Sequence, residues 1–241
     1  MSSGPARGDA PEEVSAILRE LGRALNTIDS TGRRVGDATY GIYAFYDYDG
    51  EPIYVGQTRE RLRVRIRRHL TNQRTDAVAM NVLDPFEVAD IEMWPFWDLE
   101  GLERGSPSVR ESLNAAEFTV FKKLLEESTF HAILNEVPVA PAPIVTLPES
   151  TRSRIVPDPV YLRRLHPDLR VSRRASTIAK LAQVISERSV QPGLRNTLVT
   201  QARRLEHLAQ GRLSEVEGQA TPGGNGQNAQ NEGTQLELGS G

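Results

Sequence analysis

The chain has no cysteine, which excludes a disulfide framework, a zinc ribbon and a thiol nucleophile. It also has no apolar run near the roughly 18 residues that a membrane-spanning helix needs. Its first residues, MSSGPARGDAPEE, lack the apolar segment of a secretory signal peptide. No internal repeat is visible. These absences make a cytoplasmic or nucleoid-associated location, with no membrane partner, the expectation.

What is present suits a soluble globular protein with polar extensions. The 241 residues are 38% hydrophobic and 25% charged, and the chain is long enough to bury a core. The net charge of −3 hides segregated blocks. Residues 59–74 hold seven arginines against one glutamate, and residues 151–174 hold seven arginines against two aspartates. Residues 81–117 hold nine acids against two arginines. The two basic blocks are candidates for a phosphate-binding track, set against the plainer reading of solvated helix faces.

Periodicity and turn signals organise the chain. Residues 1–10 read as disordered, and residues 11–37 as an N-terminal helix and link. Strands are predicted over 40–46 and 52–56, around the hairpin signal Asp49-Gly50. A helix over 60–72 follows, with Thr58 as its cap, and then a short irregular or helical piece at 75–83. A third strand over 87–96 and a helix over 108–126 complete a domain spanning 38–137. Residues 138–160 are proline-rich and read as a stiff linker or strap. Residues 161–213 read as a basic extension with amphipathic helices over 174–188 and 193–210, joined as a helical hairpin. Residues 214–241 read as a disordered tail.

The chemistry concentrates around the first hairpin. Each strand sets a tyrosine near a glycine, in Gly41-Ile42-Tyr43 and Tyr54-Val55-Gly56. On the next helix Arg65 and His69 are four residues apart and share a face with Arg61. Phenols, a guanidinium and an imidazole on one surface suit phosphodiester hydrolysis. Arginine holds a phosphate and offsets charge in the transition state. A phenol works as a base once cations or a metal lower its pKa from about 10. Glu117 is the candidate carboxylate for a hard cation, with Glu111 and Glu126 as alternatives. Mg²⁺ keeps several waters and needs only one or two protein carboxylates. Tyr40, Tyr46 and Tyr48 read as structural, and Trp94 and Trp97 as packing residues. His131, His166 and His207 have no ligand-like spacing.

The order GIY, YVG and R-x-x-x-H, over residues 38–137, resembles the GIY-YIG endonuclease superfamily. That resemblance implies an α/β (α+β) fold with a small, mainly antiparallel three-stranded sheet flanked by helices, here with a helical C-terminal extension. It implies catalytic roles for Tyr43, Tyr54, Arg65, His69, Glu117 and Asn135, with Glu117 as the metal ligand and Mg²⁺ (or Mn²⁺ as substitute) as the cofactor. Gln57 stands where many members have lysine, and the gap from Glu117 to Asn135 is longer than usual. DNA contacts are expected from Gly56, Gln57, Thr58, Arg61 and Arg68, and from Arg163, Arg164, Arg173 and Arg174 in the extension. The architecture is most like the compact restriction-type members, some of which are homodimers cutting double-stranded DNA. The alternatives are a structure-specific repair or recombination nuclease and a non-catalytic DNA-binding module.

Overall fold

Asp49-Gly50 turns the chain between β1 (Gly41–Tyr46) and β2 (Pro52–Thr58). Gly50 sits at φ +75°, a conformation open to glycine without a steric penalty. The Asp47 carboxylate closes the turn by accepting the backbone N–H of Asp49 at 2.9 Å and of Glu51 at 3.1 Å. The pairing is antiparallel and sets Tyr43 opposite Gly56 and Phe45 opposite Tyr54. On the other side of β1 lies β3 (Asp90–Pro95), also antiparallel. The computed structural model describes residues 12–70, 84–135, 138–187 and 192–220. The readings at 1–10 and 75–83, and the part of the 214–241 tail reading beyond residue 220, lie outside these residues; residues 214–220 are helical rather than disordered.

The antiparallel sheet flanked by helices is as the resemblance implied, but among the described residues it has four strands rather than three. A further strand, β4 (Thr151–Arg154), pairs with β3 and gives the order β2-β1-β3-β4. It lies inside the proline-rich strap. Its sequence, Thr-Arg-Ser-Arg, has no apolar residue, so hydrophobic periodicity has nothing to detect. Polar and aromatic contacts hold it instead. The Arg152 guanidinium lies 3.6 Å from the Tyr46 ring centre and donates to Asp90 at 3.0 Å.

Strand β1 is buried along its whole length because both faces of the sheet are covered. Side chains alternate between the two faces. On one face, Tyr43, Phe45 and Met93 pack with Leu21 and Leu25 of α1 (Glu12–Leu25) and Leu62 and Ile66 of α2 (Leu62–Leu70). On the other, Ile42, Ala44, Val55 and Trp94 pack with Val109, Leu113, Ala116 and Val120 of α3 (Pro107–Glu127). Ser106 caps α3, accepting from the Val109 N–H at 3.4 Å, and Pro107 occupies its first turn. Truncating one of these core leucines to alanine costs about 2–5 kcal/mol.

Among the described residues, the sheet is followed by helices α4 (Asp158–Arg164), α5 (Pro167–Glu187) and α6 (Pro192–Ala220). Helices α5 and α6 run beyond the predicted spans, and α4 was not predicted. The extra turns carry arginines where an apolar stripe was sought. Arg170, Arg174 and Arg204 are at most 5% exposed. Arg174 and Arg204 each donate to Asp47 Oδ2 at 2.8 Å, and Arg170 donates to Asp49 Oδ1 at 2.7 Å. The β1–β2 turn is thereby clamped to the C-terminal helices, whose Leu181, Ile185 and Leu194 join the core. Among the described residues no helix is long and apolar enough to cross a membrane.

Candidate active site

Tyr43 is the centre of the constellation. It is fully buried on the α2 face of the sheet, and its register partner is Gly56. A Cβ at Gly56 would stand 2.8 Å from Tyr43 Oη and 2.9 Å from Tyr54 Cε1. Only hydrogen in place of a side chain lets both phenols lie over β2. Arg65 Nε donates to Tyr43 Oη at 3.2 Å, and His69 Nδ1 lies 3.4 Å from the same oxygen. Tyr54 stacks on Phe45 and meets His69 edge-on, with ring centres 5.6 and 4.5 Å apart. The i, i+4 spacing of Arg65 and His69 brings both to one hydroxyl.

Burial pulls the Arg65 pKa down, but the Tyr43 phenol, its hydrogen bond, Tyr54 and Glu117 outweigh this and raise it. Tyr46 is the contrast. Burial, with the hydrogen bond to Glu92 and that residue's charge, pushes the Tyr46 phenol far above its ordinary range. Tyr46 therefore keeps its proton, as its structural reading requires.

Glu117 arrives from α3 around the β2 edge. It shares with Arg65, Gln57, Thr58, Arg59 and Glu60 an open groove of about 530 Å³. Gln57 Nε2 donates to Glu117 Oε2 and to Asn114 Oδ1, each at 2.8 Å. Burial pushes the Glu117 carboxyl above its ordinary range, while bonds from the Gln57 side chain and backbone and the charge of Arg65 act the other way. The tie from Gln57 to Asn114 and Glu117 was not foreseen. Its available signal was the departure from lysine at position 57, together with Asn114 one helical turn before Glu117.

Asn135 lies outside the groove lining and braces the free edge of β2. Its Nδ2 donates to Val55 O at 2.9 Å and its Oδ1 accepts from Val55 N at 3.2 Å, completing the edge as a strand would. Thr58 ends β2 and does not cap α2. Its Oγ1 accepts from the Glu60 N–H at 3.1 Å and donates to the Glu60 carbonyl at 2.9 Å. Arg61 is exposed just before α2, and Arg68 pairs with Glu60.

The extension's arginines are engaged within the fold. Arg163 and Arg164 both pair with Glu13 at 2.6 Å, and Arg164 is buried. Arg174 is held by Asp47 and Glu87, and Arg173 lies 5.8 Å from the Phe86 ring centre. A guanidinium buried in an ion pair is not available to a phosphate without breaking that pair. Trp97 donates to Asp29 at 2.6 Å and Trp94 is buried in the core, both as packing residues.

Residues 39–99 match the family model of the GIY-YIG catalytic domain. The matched segment runs from β1 through β2 and α2 to β3, and so holds Tyr43, Tyr54, Arg65 and His69; Glu117 and Asn135 lie beyond it. With this sheet, the match marks a GIY-YIG catalytic domain, which implies the activity of a DNA endonuclease, a hydrolase. Such nucleases generally use a divalent metal. No match was found among curated proteins or among solved structures.

Proposed function

We propose that the chain is a Mg²⁺-dependent endonuclease that cuts double-stranded DNA in a restriction or host-defence role. The observation that carries the site assignment is the join of Arg65 to the buried Tyr43 hydroxyl, with Arg65 also lining the groove beside Glu117. Nε of Arg65 is spent on the phenol, which leaves the terminal nitrogens of the guanidinium to grip the scissile phosphate. A cation donating to a phenol oxygen favours loss of the phenol proton, and that is what a base needs. Tyr43 takes or relays the proton of the attacking water. His69, at the same oxygen, shares that proton and the phosphate, and Tyr54 packs against both. Asn135 keeps β2 straight behind them.

The residues fit a hydrated divalent cation. No group of three acids or histidines assembles among the described residues. Mg²⁺ does not require one, because a single carboxylate such as Glu117 on an open groove suffices when water fills the rest of its shell. Bound there, the cation offsets charge on the phosphate and on the leaving oxygen. Mn²⁺, with the same oxygen preference, is the expected substitute.

The test is plasmid nicking by purified protein. Cleavage is expected only with Mg²⁺ or Mn²⁺ and is expected to fall steeply in both Tyr43→Phe and Glu117→Gln. Protein that shifts DNA but cuts none of the substrates offered would sink the enzyme assignment and favour a binding module. Discrete fragments from linear duplex support the restriction role, whereas cutting confined to flaps or junctions would replace it with repair. A homodimer, which sedimentation would detect, accounts for cutting both strands.

A further inference from the structure

Strand β2 turns Gln57 toward α3, away from the phenols. Its side-chain nitrogen bonds Glu117 Oε2 and Asn114 Oδ1, each at 2.8 Å. A carboxylate only accepts, so the amide nitrogen must face Glu117 and the amide oxygen must face away. That oxygen, Gln57 Oε1, is buried and has no hydrogen-bond partner among the described residues. A buried acceptor without a donor is costly and is tolerated where something else brings the donor. The groove beside it is also lined by Glu117 and Arg65.

Resting on the reading of Glu117 as the metal carboxylate, we infer that Gln57 is the positioning residue for that ligand. Its nitrogen fixes the carboxylate at the groove, where Glu117 would meet the hydrated cation. The amide does this without charge. A lysine here would also reach Glu117 but would compete with the cation for it.

The experiment titrates Mn²⁺ into the full chain without DNA and reads free Mn²⁺ by electron paramagnetic resonance. Glu117→Gln is expected to lose binding. Gln57→Leu is expected to weaken it about tenfold or more, the usual consequence of removing a ligand's hydrogen-bond partner. Gln57→Lys should weaken it further. In cleavage assays the deficit of Gln57→Leu should be recovered as Mg²⁺ is raised; the same deficit at every Mg²⁺ concentration would mark a purely structural role and overturn the inference. Native Mn²⁺ affinity in both Gln57 variants, alongside loss in Glu117→Gln, overturns the inference and leaves Glu117 in place. Retained binding in Glu117→Gln overturns both. If Gln57→Leu does not fold, Gln57→Lys, which keeps a donor to Glu117, decides alone.

Discussion

Arg65 Nε donates to the Tyr43 hydroxyl at 3.2 Å, although Tyr43 is fully buried and Arg65 is only partly so. The bond links the core of the sheet to the groove. Replacing Tyr43 by phenylalanine keeps the ring packing and removes only the oxygen. Cleavage is expected to fall by about 10²–10⁴-fold, the range for loss of a proton-transfer group. Arg65→Lys should not restore activity where the arginine is needed, because a compact ammonium lacks the planar fork that spans the phenol and a phosphate from one side chain. Single-turnover rates at saturating Mg²⁺ measure this. A larger loss in Tyr54→Phe than in Tyr43→Phe would exchange the roles of the two tyrosines.

Gly56 carries a second expectation. A methyl group there would meet Tyr43 Oη at 2.8 Å, Tyr43 Cζ at 2.9 Å and Tyr54 Cε1 at 2.9 Å. Both rings sit in a packed cluster with Phe45 and His69, so neither yields freely. Gly56→Ala should cost about 1–3 kcal/mol of stability by overpacking and should also slow cleavage. Adding Tyr43→Phe removes the nearest clashing atom. Denaturant unfolding of the two single variants and the double should therefore show less than additive loss. Strict additivity would mean that Gly56 and the Tyr43 hydroxyl do not meet.

The hairpin and its helix were legible because several signals agreed on them. Asp49-Gly50 marks the turn, the alternation of Tyr43 and Phe45 marks a face, and Arg65 and His69 mark a helical repeat. The 7 residues of α4 are too few for a helical period to show, and strand β4 was not legible, since Arg152 and Arg154 hold it through Asp90 and the Tyr46 ring, contacts that no hydrophobic pattern records. The extension's arginines were read as a phosphate track for the same reason. Sequence shows a positive charge but not the Asp47 or Glu13 that meets it from more than a hundred residues away. The Gln57 tie to Glu117 was hidden likewise, because 60 residues separate its ends.

Ion pairing separates the basic residues by what salt should reveal. Arg61 is exposed beside the groove, whereas Arg164 and Arg174 are buried in pairs with Glu13, Asp47 and Glu87. If Arg61 contacts a phosphate, Arg61→Ala should reduce the slope of log K against log salt by about 0.9. Arg174→Ala should leave the slope alone and lower stability by about 3–5 kcal/mol, because Asp47 and Glu87 lose a buried partner. Fluorescence anisotropy with duplex DNA in the absence of Mg²⁺ gives the slopes. A flattened slope in a folded Arg174→Ala protein would return the extension to the DNA interface.

Glu87 supplies a test of the clamp through pH. It is 8% exposed, and Arg174 Nε reaches its Oε2 at 3.4 Å, while its Oε1 has no partner among the described residues. Burial pushes the Glu87 carboxyl above its ordinary value, Arg174 and Arg170 pull it back, and Asp84 and Asp47 push it up again. A pKa raised by folding means that the native state holds the Glu87 proton more tightly than the unfolded chain does. The stability this contributes is fully present below the unfolded value of about 4.3 and is lost as pH rises through the native value. Glutamine keeps the shape and never ionises. Glu87→Gln should therefore be more stable than the native chain at neutral pH, with the gain shrinking as pH falls toward about 4.3. Asp49, whose pKa shifts the other way, is common to both chains and cancels in the comparison. Urea midpoints of the two proteins across that pH range decide the point. If the variant is weaker at neutral pH by an amount that pH does not change, the attraction of Arg174 outweighs the burial of Glu87, and the clamp is held together by its charge.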